Sequence, residues 1–230
     1  MLFGIFYPQS VVDVGCGLGT WLSVFKNMYN CDVLGIDGYY VDKKSLYINE
    51  NEFIPFNLED RITIDVFGMR EKFDLAISLE VAEHLTEARS ESFVHDLTCL
   101  SDAILFSAAI PFQGGVNHIN EKKILYWINL FKNEGYLPVS CIRTLFKNVQ
   151  TTNELNGIEP WYANNAILYL EQSKMIDYNI NPSEYEDDYS PLPFMMESLC
   201  RNRVRKDYIL VPRNSLTDKI SEIYCRINHK

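Results

Sequence analysis

The stretch Val11–Thr20 constrains this chain more than any other. Val11, Val12, Asp13 and Val14 have the apolar character of a buried strand and run into Gly15, Gly17 and Gly19. Beyond them Leu18, Trp21, Leu22, Phe25 and Met28 recur at helical spacing. A strand that turns straight into a helix is the opening unit of a parallel α/β sheet. Glycines at the turn let the backbone bend sharply and let a ligand approach with no Cβ in between.

The pattern continues as such a sheet requires. Val33–Ile36, Phe53–Phe56, Phe73–Ser78 and Ala103–Phe106 read as strands, and Phe93, Val94, Leu97 and Leu100 as the buried face of a helix. A further helix is expected from about Glu121 to Glu134, with Asn120 as its N-cap and Gly135 ending it. Val139–Phe146 and Ala166–Leu170 read as the last two strands. A chain of 230 residues with 47% hydrophobic side chains can bury one core and carry an appendage. Composition shifts near residue 172, so residues 1–172 are expected to form the main domain and 173–230 an acidic linker with a C-terminal helical extension. Asp177–Pro193 is acidic and broken by Asn181-Pro182 and Ser190-Pro191, and Glu184–Asp188 reads as a solvated loop. From Met195 to Lys230, eight Lys and Arg face four Asp and Glu, while the whole chain carries −10. Leu216, Ile220, Ile223, Tyr224 and Ile227 form an apolar helical stripe there, read as packing on its own domain, with a homodimer or partner contact as the other reading.

An acidic chain argues against a dedicated grip on nucleic acid, which needs concentrated positive charge. The six cysteines are scattered with no CxxC, as thiols in a reducing compartment would be. No apolar run is long enough to cross a bilayer, and the first residues lack a signal-peptide pattern. A cytoplasmic location is the expectation.

Asp37 follows the second strand, 18 residues after Gly19, where a carboxylate can accept the hydroxyls of a ribose. The third glycine arrives one residue too early for a dinucleotide turn, and Asp13 beside the turn would repel a pyrophosphate. An acid there suits a cationic ligand such as S-adenosylmethionine (SAM), with its sulfonium and ammonium. The segment Asp13–Gly19 followed by Gly35–Gly38 resembles motif I and the following acid of the class I SAM-dependent methyltransferases. That resemblance implies a Rossmann-like, seven-stranded, mostly parallel sheet with helices on both faces and its last strand antiparallel. It also implies that Asp13, Gly15 and Gly17 hold the methionine end and that Asp37 holds the ribose. Asn57 and Leu58 would reach the adenine, and Leu79 and Glu80 would close the pocket.

On the acceptor side, the Asn- or Asp-Pro-Pro-aromatic motif of enzymes that methylate base amines is missing from Ser78–Leu85. In its place stand Glu80, Glu83 and His84, with His118 in a later Gly-Gly loop. Neighbours at i+3 and i+4 share a helical face, and loops from adjacent strands share a rim. Two carboxylates and two imidazoles could therefore hold a divalent cation that polarises a hydroxyl. The set Glu80, Glu83, His84 and His118 resembles the metal site of small-RNA 2′-O-methyltransferases, and also the Glu-x-x-Glu-His of ubiquinone-pathway O-methyltransferases. The other reading needs no metal: the acids cap the next helix and the histidine lines the pocket. Ile110–Glu121 resembles bacterial methyltransferases associated with sugar and polysaccharide biosynthesis. The expected activity is SAM-dependent O-methylation of a small-molecule or glycan hydroxyl, with His118 as candidate base. The alternatives are metal-assisted 2′-O-methylation of RNA and a methyltransferase-like scaffold subunit. The first strand begins close to Met1, so the pocket is expected either to be open to a large acceptor or to be covered by another segment, which the 173–230 extension or a second subunit could supply.

Overall fold

A computed structural model describes residues 7–63, 71–139, 160–178 and 180. Strand β1, Ser10–Val14, lies at the heart of a seven-stranded sheet and is buried from Val11 onward. Successive side chains alternate between its faces, so Val12 and Val14 enter one apolar layer and Val11 the other. On one side β1 pairs in parallel with β2 (Asp32–Asp37), which pairs with β3 (Phe53–Pro55). On the other it pairs with β4 (Leu75–Leu79), which pairs with β5 (Ala103–Ser107). Strand β7 (Ile167–Glu171) runs antiparallel between β5 and β6 (Tyr136–Val139), which gives the order β3-β2-β1-β4-β5-β7-β6. Among the described strands only β7 runs against the other six, as the resemblance to a Rossmann-like methyltransferase sheet implies.

Helix α1, Thr20–Tyr29, packs Leu22 and Phe25 on the Val11 face. Helices α2 (Ser90–Leu100) and α3 (Ile124–Asn133) cover the opposite face with Phe93, Val94, Leu97, Trp127, Ile128 and Phe131. Phe131 stacks on Tyr169 with ring centroids 3.9 Å apart, so α3 is seated directly on β7. A short helix α4, Pro160–Asn165, leads into β7. No helix among the described residues is long and apolar enough to cross a membrane.

Several local expectations shift, each for a physical reason. Of the residues that recur at helical spacing, Leu22 and Phe25 are buried while Leu18, Trp21 and Met28 are exposed; Trp21 meets Tyr162 of α4 edge to face at 5.5 Å. Asn120 does not cap α3, which begins at Ile124 after Lys123. Its side chain is buried and its Nδ2 donates to Ala82 O and Ser90 Oγ, so these tertiary bonds hold the side chain away from the start of the helix. Strand β6 begins at Tyr136, directly after Gly135, and continues through Pro138. Proline is tolerated there because β6 is an edge strand paired only with β7. Phe73 precedes β4 and forms an isolated bridge with Ser101. Residues 140–146 of the expected sixth strand, the Glu184–Asp188 stretch and the 195–230 stripe lie outside the described residues.

Candidate active site

The residues singled out in the sequence gather at the carboxyl edge of the parallel strands, where open α/β sheets bind their ligands. The turn after β1 depends on glycine. Gly15 has φ +87, and a Cβ there would stand 2.3 Å from Val81 Cγ2. Its amide and that of Cys16 both donate to Ile36 O at the end of β2, at 2.7 and 3.2 Å. At Gly17 a Cβ would meet nothing within 4 Å, so the turn faces open space. The Gly17 amide donates to Asp37 Oδ2 at 2.6 Å, which ties the turn to the acid.

Two acids lie beside this turn. Asp13 is only 2% exposed, and burial first and the Asp37 charge second push its pKa up to about 8. Such a group holds a proton when alone and gives it up beside a cation. Asp37 accepts from Gly38 N at 2.6 Å and from the Tyr40 hydroxyl, besides Gly17 N. A cradle open at Gly17, an acid poised for a positive charge and a second acid within reach of a diol together fit SAM. Leu58 and Leu79 lie in the two apolar layers at the same edge. Asn57 is exposed and folded into its own turn, with Nδ2 donating to Asp60 Oδ2 at 3.1 Å and Oδ1 accepting from Glu59 N at 3.3 Å.

Past β4 the sequence expectation and the geometry part company. Glu80 was expected to share a helical face with Glu83 and His84. Instead its backbone is left-handed (φ 58), and the three-residue turn begins only at Ala82. The carboxylate of Glu80 therefore accepts from Gln113 Nε2 at 2.6 Å and from Asn165 Nδ2 at 3.1 Å, away from the other three residues. The left-handed conformation is held by the Glu80 amide, which donates to Ser107 O at 3.0 Å and to Ser107 Oγ at 3.1 Å.

Glu83, His84 and His118 do come together, each bringing a possible ligand atom within 4.8 Å of the others. The histidine rings meet edge to face at 4.9 Å. The loop carrying His118 is pinned there because the Ile119 and Asn120 amides both donate to Glu83 O, at 2.9 and 3.0 Å. Glu83 is fully buried, and neither carboxylate oxygen has a hydrogen-bond partner. Burial first, then the Glu80 charge, push its pKa up to about 8, with the nearby Glu83 and Ala109 amides pulling the other way in part. A buried carboxyl left without partners costs free energy unless something completes it. His118 Nδ1 lies 3.2 Å from Glu121 Oε1, and its Nε2 lies 4.0 Å from Glu83 Oε1. An acceptor at Nδ1 keeps the proton there and leaves Nε2 as the basic nitrogen.

Four groups in this site were not singled out in the sequence. Glu121 orients His118 and accepts from Phe112 N and Gly114 N at 2.9 and 3.0 Å, so one carboxylate also shapes the loop. Its place three residues after His118 was the one available signal. Gln113 and Asn165 bind Glu80, and Tyr40 binds Asp37. Asn165 is 85 residues from Glu80, so no spacing pattern announces it.

Residues 2–93 match a family model described as a methyltransferase domain. No curated protein sequence matches the chain. Among solved structures, a SAM-dependent methyltransferase from Archaeoglobus fulgidus aligns at 14% identity over 73% of this chain and 88% of its own, with TM-score 0.49. Magnesium protoporphyrin IX methyltransferase from Synechocystis, solved with bound SAM, aligns at 17% identity over 60% of this chain and 64% of its own, with TM-score 0.45. The methyltransferase domain of bacterial CtHen1 aligns at 21% identity over 60% and 82%, with TM-score 0.46. The glycine turn closed on a buried acid and the β3-β2-β1-β4-β5-β7-β6 sheet have the Rossmann-like form of the class I SAM-dependent methyltransferases, and residues 2–93 are similar to a methyltransferase domain.

Proposed function

We propose that the enzyme methylates a hydroxyl oxygen of a small-molecule or glycan acceptor, in the cytoplasm, with His118 as the base. The observation that carries this reading is the His118–Glu121 pair: with Nδ1 engaged, Nε2 is the nitrogen left to accept a proton. SAM supplies a methyl carbon already activated by its sulfonium, so the remaining work is positioning and proton removal. Asp13 faces the cationic end and Asp37 the ribose. The Glu80–Gln113–Asn165 triangle stiffens the end of β4 beside them. His118 Nε2 takes the hydroxyl proton as the oxygen attacks, and Glu121 stabilises the resulting imidazolium.

One observation favours a second reading, in which Glu83, His84 and His118 hold a divalent cation, as a metal-assisted 2′-hydroxyl methylation of RNA would use. Both Glu83 oxygens are buried without a close hydrogen-bond partner, and a carboxylate with two imidazoles is a plausible donor set for such an ion. The cation would lower the pKa of a bound hydroxyl. Turnover of SAM with a panel of glycosides, nucleosides and short RNAs separates the two, run with a chelator and with added Mn²⁺. On the base reading His118→Gln costs roughly 10²–10⁴-fold in kcat, and the chelator changes nothing. Activity that appears only with Mn²⁺ and is lost in Glu83→Gln would replace the base reading with the metal one.

A further inference from the structure

The acid assigned to the ribose is already crowded. A carboxylate offers roughly four lone-pair directions, two on each oxygen. On Asp37, Oδ2 accepts from Gly17 N at 2.6 Å, while Oδ1 accepts from Gly38 N at 2.6 Å and from the Tyr40 hydroxyl. Oδ1 is thus filled and Oδ2 keeps one direction open. A vicinal diol that donates both hydroxyls needs two. The two amides belong to the turn and to the strand end and cannot leave without dismantling them. The phenol can leave: Tyr40 is 83% exposed, and its ring rests on Gly38, where a Cβ would stand 2.1 Å from Cε1. Gly38 is the residue that allows this close approach. Swinging the ring outward uncovers little apolar surface.

We propose that the Tyr40 hydroxyl is a built-in stand-in for one ribose hydroxyl, which the cofactor's diol must displace from Asp37 Oδ1 as it binds. The proposal rests on the reading that Asp37 holds the ribose. Tyr40 is then a specificity-determining residue: it opposes the complete diol and leaves unopposed any nucleoside that offers one hydroxyl, for which the open direction on Oδ2 is enough. In the empty site the phenol keeps the buried acid from being left short of donors.

The test is calorimetric titration of the full chain with S-adenosylhomocysteine and with its 2′-deoxy analogue. Wild type, Tyr40→Phe, Tyr40→Leu and Asp37→Ala are compared. Phe keeps the ring and removes only the hydroxyl, and Leu repeats the test without an aromatic. Removing a competing hydrogen bond to a charged group at an exposed position is expected to tighten S-adenosylhomocysteine binding about three- to tenfold in both Tyr40 variants. The deoxy analogue is expected to bind wild type and both variants equally. Unchanged or weaker S-adenosylhomocysteine binding in the variants overturns the proposal, and so does an equal gain for the deoxy analogue. If Asp37→Ala binds S-adenosylhomocysteine as well as wild type does, the ribose assignment itself is wrong, and the proposal fails for that separate reason.

Discussion

Asp13 couples this protein to pH in a definite direction. Its ordinary pKa of 3.8 is raised to about 8 in the folded chain, so the folded state keeps a proton that the unfolded state releases. Stability from this group is therefore intact below the unfolded value, falls as pH climbs from 3.8 towards about 8, and is level above that. Asp13→Asn removes the slope. Thermal melts of the ligand-free protein should show the variant gaining on wild type between about pH 5 and about pH 8, and a constant gap across that range would refute the linkage. The same proton is released when a cation settles beside Asp13. SAM should accordingly bind more tightly as pH rises from about 6 to about 8.5, with proton release measurable by calorimetry in buffers of different ionisation enthalpy. At this scale the sequence was informative wherever chemistry is local. The acid two residues before the first glycine could be read for charge, and His118 for its loop. Glu80 could not be placed, because one left-handed backbone angle redirects its side chain and nothing in the spacing reports that angle.

Between elements, the loop after β3 is held by α2 through an ion pair in the apolar layer. Arg89 Nε donates to Leu58 O at 3.0 Å and Nη2 to Asp60 O at 2.9 Å, and Arg89 pairs with Asp96. Asp96 also accepts from Ile62 N at 2.8 Å and Arg61 Nε at 2.7 Å. The Thr86 amide and hydroxyl complete the fastening on Glu59, at 2.7 and 2.9 Å. A buried pair of this kind is not efficient at adding stability, but breaking it strands a charge in the core and costs about 3–5 kcal/mol. Asp96→Asn should lower the melting temperature by roughly 2–4 °C per kcal/mol lost. Because the loop carries Leu58, the variant should also bind SAM more weakly at temperatures where it remains folded. A lowered melting temperature with unaltered SAM affinity would remove this loop from the cofactor site. Among the elements, apolar runs revealed β1, β2, β4 and β5 because strands buried on both faces need no polar alternation. The start of α3 was not legible, since Asn120 has the residue type of a cap but spends its side chain on Ala82 and Ser90.

For the whole molecule, composition divides the chain at 172–173, and that boundary can be tested against packing. Met175 and Ile180 are buried in the layer on the α1 side of the sheet, beyond the compositional break. Burying a side chain of this size contributes about 1.5–3 kcal/mol. A chain ending at Gln172 should therefore melt below one ending after Ile180; equal melting temperatures would place the boundary at 172. The sequence by itself determined the sheet, its opening glycine turn and the two acids beside it, because burial period, turn chemistry and charge are properties of short segments. Tertiary structure alone decided which side chains meet. It set Tyr40 on Asp37, gave Glu80 to Gln113 and Asn165, and left Glu83 with the two histidines. Those pairings depend on where separate loops reach the strand edge and on single backbone angles, and neither leaves a period in the sequence.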